Sequence, residues 1–186
     1  MQTYYTDKTT QISAWGLVPF IKQLGDKLTG CEIGVKEGIN LRYFLDQIPN
    51  IEKVYAIDPW LSYDPGKDWG IITQIEVDGW KNKALELLAD YSNKVNILEL
   101  SSIDAVAHIP DNSLDYIFID GDHSYQAVST DIRNYWSKVK TGGIFAGHDW
   151  NWTNEVQKAV NEFRDEYDII TEIQFTDSQV WFWVKE

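Results

Sequence analysis

With 186 residues, 44% of them hydrophobic and 24% charged, the chain can bury one sizeable core and is read as a single α/β domain over 1–186. Its net charge of −13 argues against a nucleic-acid partner, because phosphate binding needs clustered Lys and Arg, and no basic stretch of that kind is present. No apolar run of about 18 residues and no charged-then-apolar leader is visible, so neither a membrane span nor a signal peptide is expected. The single cysteine, Cys31, excludes an internal disulfide and fits a reducing, cytoplasmic compartment.

Along the chain, a helical extension is expected within residues 1–29, over about 12–25, although Pro19 interrupts it. Short runs rich in β-branched and aromatic residues then alternate with segments of helical period. CEIGV (31–35) is followed by a stripe of Leu41, Phe44, Leu45 and Ile48 that Pro49 stops. KVYAID (53–58) precedes a long connection, 59–79, and then Trp80, Ala84, Leu87, Leu88 and Tyr91 recur at helical spacing. VNILEL (95–100) leads into SSIDAVAHIPDNS, which is helical only in its first half. LDYIFID (114–120) is followed by Val128, Ile132, Tyr135, Trp136 and Val139, with TGG as the expected terminator. GGIFAGHD (142–149) precedes a stripe of Val156, Val160, Phe163 and Tyr167 behind Thr153, a plausible N-cap.

This alternation predicts a mainly parallel sheet with helices on both faces. The last two runs, DIITEIQFT (168–176) and QVWFWVK (179–185), are joined by only two residues, so they predict an antiparallel hairpin at the sheet edge. Among the nine tryptophans, Trp15, Trp136 and Trp181 fit the core, whereas Trp60, Trp69, Trp150 and Trp152 fall in apparent loops.

Ligands of open parallel sheets sit beyond the carboxyl ends of the strands. Polar groups gather there: Glu32 to Gly38, Asp58, Ser101 to Ile103, Asp120 to His123, and His148 with Asp149. Gly34 and Gly38 allow a tight turn and close approach by a ligand. The loop lacks G-x-G-x-x-G, since Val35 and Lys36 stand where a second close glycine belongs, so a dinucleotide pyrophosphate is not expected. Asp58, twenty residues beyond Gly38, can accept hydrogen bonds from ribose hydroxyls. Read individually, the glycines serve equally well for strand–helix packing and Asp58 for capping a helix.

The spacing E-x-G-x-x-x-G followed by an acid that closes the second strand resembles class I S-adenosylmethionine-dependent methyltransferases. IDGDHSYQAVSTDIRNYWSKVKTGGIFAGHDW is similar to a small bacterial group with sugar and macrolide O-methyltransferases and cephalosporin-modifying relatives. The likeness covers about residues 30–185. It implies a Rossmann-like methyltransferase fold of seven strands, mainly parallel, with an antiparallel C-terminal hairpin. It further implies that S-adenosylmethionine is the cofactor, with Glu32, Gly34, Gly38 and Asp120 near its methionine end, Asp58 at its ribose, and Ser102 and Ile103 at its adenine. In metal-dependent members an acid after strand four and an acidic or amide pair after strand five hold magnesium. Asp120 and Asp149 match that pattern, so a divalent metal, magnesium or manganese, held by Asp120, His148 and Asp149 is the expectation.

His148 departs from the pattern, because imidazole is a poor magnesium ligand and suits manganese, iron or zinc better. Three alternatives follow: a softer metal, a His148 turned away, or no metal and direct action by these groups. His123 stands where catechol-type relatives place a proton-accepting lysine. Imidazole titrates near neutrality and can take a hydroxyl proton, with Asp120 as its catalytic companion and Asp122 as a candidate orienting group. The competing reading makes His123 the cap of the helix that begins near Tyr125.

The connection 59–79 exceeds an ordinary strand–helix loop. It reads as a lid whose Trp60, Tyr63 and Trp69 join Trp150 and Trp152 in an aromatic wall suited to a sugar-like or planar polyol acceptor. The expected activity is O-methylation of a small hydroxylated molecule. The alternatives are a metal-independent methyltransferase using His123 or His148, and a non-catalytic carbohydrate- or partner-binding module. The exposed aromatics are equally consistent with a homo-oligomer patch.

Overall fold

The structure, a computed structural model, describes residues 14–64, 70–152, 154–176 and 179–186. Seven strands form one sheet in the order β3-β2-β1-β4-β5-β7-β6. They are β1 (Leu28–Ile33), β2 (Ile51–Ile57), β3 (Val95–Leu98), β4 (Leu114–Ile119), β5 (Val139–Gly147), β6 (Gln174–Phe175) and β7 (Trp181–Val184). β1 to β5 pair in parallel, and β7 runs antiparallel to both β5 and β6.

β4 shows why the sheet is covered on both sides. Tyr116 and Phe118 join the core layer under α1 (Val18–Ile21), α2 (Ile39–Gln47) and α3 (Gln74–Leu88). Ile117 and Ile119 face the opposite layer, with α5 (Tyr125–Trp136) and α6 (Asn154–Glu166). Side chains alternate across a strand, so a run that is apolar throughout must be buried on both faces. Each such large side chain contributes roughly 1.5–3 kcal/mol on burial.

Register decides where the site forms. Ile33 of β1 lies opposite Ile57 of β2 and opposite Ile119 of β4, and Ile119 lies opposite Gly147 of β5. The next residues, Gly34, Asp58, Asp120 and His148, therefore leave the sheet at one level. The gap between β1 and β4 is where the winding reverses, and an open parallel sheet binds ligands in the crevice at such a point.

Several expectations need correction. The N-terminal helix is only a 3₁₀ turn, Trp15–Leu17, followed by the single turn of α1, which tolerates Pro19 in its first turn; residues 12 and 13 lie outside the described residues. Trp15 is half exposed, stacked on Tyr43 at 5.3 Å rather than inserted into the core. TGG does not terminate a helix: α5 already ends at Trp136, and Val139 opens β5, where Gly142 takes a left-handed φ of 83°. The strand expected over 168–176 shrinks to Gln174–Phe175. Tyr167 and Ile169 still donate to carbonyls of α6, and Asp168 is left-handed, so the helix end consumes that stretch. Thr153 and residues 177 and 178, within the link from β6 to β7, lie outside the described residues.

The long connection is also shorter than expected. α3 begins at Gln74, where Thr73 and Glu76 form a reciprocal capping box, which satisfies two otherwise orphaned N–H groups. Tyr63 and Ile72 pair across the segment as an isolated antiparallel bridge. Trp69 and its neighbours 65–68 lie outside the described residues. The stretch after β3 behaves as predicted, with a short α4 (Ser102–Ala105) followed by one 3₁₀ turn.

Candidate active site

The first loop is shaped by contact with the end of β4. Gly34 has φ of 87°, and a Cβ there would lie 2.1 Å from the Asp120 carbonyl oxygen. Only glycine allows both the conformation and the approach. Gly38, at φ 75°, caps α2 against Ala84 of α3.

Asp58 ties the first loop to the second. One carboxylate oxygen accepts from Lys36 N and the other from Trp60 N, both at 2.8 Å. Burial raises its pKa, and the backbone N–H groups of Lys36, Trp60 and Val35 oppose that shift. Trp60, placed in a loop by the sequence, is in fact 2% exposed, and its indole N–H donates to the Lys36 carbonyl at 2.9 Å. It is therefore a brace between loops and not part of an open aromatic wall. Trp150 packs edge-on against Phe175 at 5.1 Å, so of the described members of that wall only Tyr63 and Trp152 are about half exposed. Lys36, Trp60 and Asp149 all hold left-handed backbone conformations without being glycine, the kind of local strain that gathers at working sites.

Glu32 is buried at the end of β1 and accepts from Asn40 Nδ2 at 3.0 Å, while Asn40 Oδ1 accepts from Ala14 N at 3.2 Å. Burial pushes its pKa up to about 8; the Asn40 hydrogen bond works against this, and Asp120 and Asp58 add to it. Between its ordinary value near 4.5 and about 8, the folded chain keeps a proton that the unfolded chain has released, so stability falls as pH rises through that window. Glu32→Gln removes this penalty. The unliganded variant is expected to melt above the parent at about pH 8.5 and to converge with it below about pH 4.5, as followed by circular dichroism; a pH-independent difference would contradict this account.

Opposite this loop, β4 and β5 deliver Asp120, His123, His148 and Asp149 to one place. His123 Nδ1 is 3.0 Å from Asp149 Oδ2, and His148 Nδ1 is 3.1 Å from the same oxygen and 3.5 Å from Asp120 Oδ1. Burial alone would raise the Asp149 pKa, but the hydrogen bond from His148 and the adjacent imidazoles outweigh it and hold the group below the ordinary carboxylate range. Ligand atoms of Asp120, His123 and Asp149 all lie within 4.8 Å of one another. His148, expected with Asp120 and Asp149 to hold a metal, lies beside this group and meets both carboxylates. Capping of α5 falls to Ser124, which accepts from Ala127 N, while Asp122 accepts from Ser124 N at 2.8 Å. His123 is therefore not the cap, and Asp149 rather than Asp122 meets its ring.

Ser101 caps α4, and Ser102 and Ile103 follow at the rim, Ile103 60% exposed. Asn40 and Asp131 were missed from the sequence. A polar residue in a helix carries no local signal that it faces a buried carboxylate or a loop three strands away.

A sheet of order 3-2-1-4-5-7-6 with this rim is that of a class I S-adenosylmethionine-dependent methyltransferase domain. A family model described as a methyltransferase domain matches residues 31–150, and the chain belongs to that family. Among curated proteins, it is similar to the uncharacterized protein R132 of Acanthamoeba polyphaga mimivirus, 32% identical over 143 residues. That match takes in 74% of this chain and 59% of the relative's own length. Among solved structures, the O-methyltransferase NovP aligns with a TM-score of 0.67 at 20% identity, over 91% of this chain and 79% of that one. A Streptococcus mutans protein crystallised in complex with SAH gives 0.64 at 16% identity, covering 91% and 95%. An rRNA methylase from Streptococcus thermophilus gives 0.62 at 12%, covering 90% and 93%. At these identities the structural likenesses speak for the fold. No helix among the described residues is long and apolar enough to cross a membrane.

Proposed function

We propose that the chain transfers the methyl group of S-adenosylmethionine to a hydroxyl of a small, sugar-like or polyol acceptor. The observation that carries this reading is the meeting of Asp120, His123, His148 and Asp149 on the same rim as Glu32 and Asp58. S-adenosylmethionine supplies an electrophilic methyl on a sulfonium. On this chain, Asp58 keeps lone pairs for ribose hydroxyls after accepting two backbone N–H groups, and Glu32 presents a buried carboxyl, protonated below about pH 8 until a cation such as the methionine ammonium pairs with it. The net charge of −13 supports a small-molecule acceptor over a nucleic acid. Tyr63 and Trp152 supply exposed aromatic surface; the lid expected over 59–79 takes in residues 65–69, which lie outside the described residues.

His123 is the proposed proton acceptor. With Nδ1 turned to Asp149, the carboxylate fixes the ring and its tautomer and leaves Nε2 for the acceptor hydroxyl. Alignment of the acceptor oxygen with the methyl–sulfur bond is the other demand, and rigid strand ends meet it.

The compact cluster of Asp120, His123 and Asp149 favours a second reading, in which those three hold a divalent cation. Two carboxylates and an imidazole suit manganese better than magnesium, and such an ion would lower the pKa of the acceptor hydroxyl. His123 would then be a ligand and His148 the remaining base.

Titration calorimetry tests both. S-adenosylmethionine and S-adenosylhomocysteine are expected to bind and nicotinamide dinucleotide is not. Manganese is expected to bind in the second reading only, and to be lost in Asp149→Ala. Failure of both adenosyl ligands to bind removes the proposed reaction; binding that ignores EDTA and manganese leaves His123 as the base.

A further inference from the structure

The antiparallel strand β7 reaches the turn that follows β5. Trp181, which opens β7, is 1% exposed and lies opposite Gly147, the final residue of β5. Its ring fills the space a side chain would need there, since a Cβ on Gly147 would lie 2.4 Å from Trp181 Cζ2. From this seat the indole N–H donates to the His148 carbonyl at 3.0 Å. Gln179 accepts from Trp150 N through its carbonyl at 3.0 Å and from Asn151 N through its side chain at 2.9 Å. The approach to β7 thus holds the backbone of the turn from His148 to Asn151.

The His148 carbonyl belongs to the peptide that joins His148 to Asp149. Asp149 keeps a left-handed φ of 59°, which an L residue adopts at a cost. Flipping that one peptide plane would turn φ by about 180° and return Asp149 to the ordinary negative region. The flip would also carry the carbonyl away from the indole and leave a buried N–H unpaired. The hydrogen bond and the backbone cost are of the same order, so this bond decides which state is populated. With the plane held, the Asp149 carboxylate meets His123 Nδ1 at 3.0 Å and His148 Nδ1 at 3.1 Å.

We infer that Trp181 is a positioning residue for the proposed proton transfer: its N–H locks the His148–Asp149 peptide so that one carboxylate orients both imidazoles. The inference rests on the reading above that this cluster takes the acceptor proton. A carboxylate facing Nδ1 fixes the proton on that nitrogen and leaves Nε2 free to accept.

Nitrogen NMR of the imidazoles tests it. The chain has three histidines, and His108, exposed in the 3₁₀ turn after α4, is the internal reference. Spectra are taken with EDTA at about pH 9, where histidines are neutral. In the parent, His123 and His148 are expected as the Nδ1–H tautomer, and His108 as the mixture of a free imidazole. Trp181→Phe keeps a ring and removes the N–H. It is expected to shift both rings to the mixture His108 shows, while S-adenosylhomocysteine affinity changes by less than about threefold. If that variant does not fold, Trp181 replaced by benzothienylalanine, which keeps the shape of the indole and lacks its N–H, carries the test. A merely structural role would lower the melting temperature and leave the tautomers as in the parent. Unchanged tautomers in the variants, or a parent without the Nδ1–H form, overturn the inference while S-adenosylhomocysteine binding keeps the methyltransferase reading. Failure of the parent to bind that ligand overturns the reading and the inference with it.

Discussion

Asp58→Ala is expected to weaken S-adenosylhomocysteine binding by about 100-fold while the protein stays folded. The proposed ribose contacts are two hydrogen bonds to a charged acceptor, each worth about 1.5–3 kcal/mol, and the lower bound for the pair, about 3 kcal/mol, corresponds to about two decades in affinity. The same carboxylate also holds Lys36 N and Trp60 N, so its removal loosens the first loop against the second and adds to the loss. Asp58→Asn keeps one acceptor oxygen and is expected to fall between the two. Calorimetry gives the affinities and far-ultraviolet circular dichroism the fold. A change below about threefold in the alanine variant would show that the ligand does not rest on this acid.

The largest effect on stability is expected from Gly34→Ala. Its φ of 87° costs any other residue about 1–2 kcal/mol, and the new Cβ would lie 2.1 Å from a backbone oxygen that no rotamer change can move. Pushing the end of β4 away adds roughly 1–3 kcal/mol, for a total of about 2–5 kcal/mol, a large share of a typical domain's stability. Gly142→Ala provides the control: φ is 83°, but nothing lies within 4 Å of the added carbon, so only the conformational cost of about 1–2 kcal/mol applies. Urea unfolding of both variants separates the terms, and equal losses would show that the contact with Asp120 contributes nothing.

Gly34 also marks the boundary between what could be read from the letters and what could not. Its role as a tight turn was legible. That the turn presses on Asp120, and so joins the loop after β1 to the cluster on β4 and β5, depends on strands 86 residues apart lying side by side. Asp149 makes the same point. The pairing of acid and imidazole after β5 was visible, but the carboxylate's contact with His123 as well as His148 joins two loops and was not. Trp60 looked like loop surface, because burial of a loop residue comes from contacts that have no period along the chain.

The sequence by itself determined the order of the strands and helices, the parallel sheet with its edge hairpin, and the polar residues that stand at the carboxyl ends of the strands, because burial on two faces writes a local pattern. The tertiary structure alone decided which of those residues touch, and which buried polar groups stand behind them. The β1–β4 register, a property of two segments together, brings the loops into contact; neither segment encodes it alone.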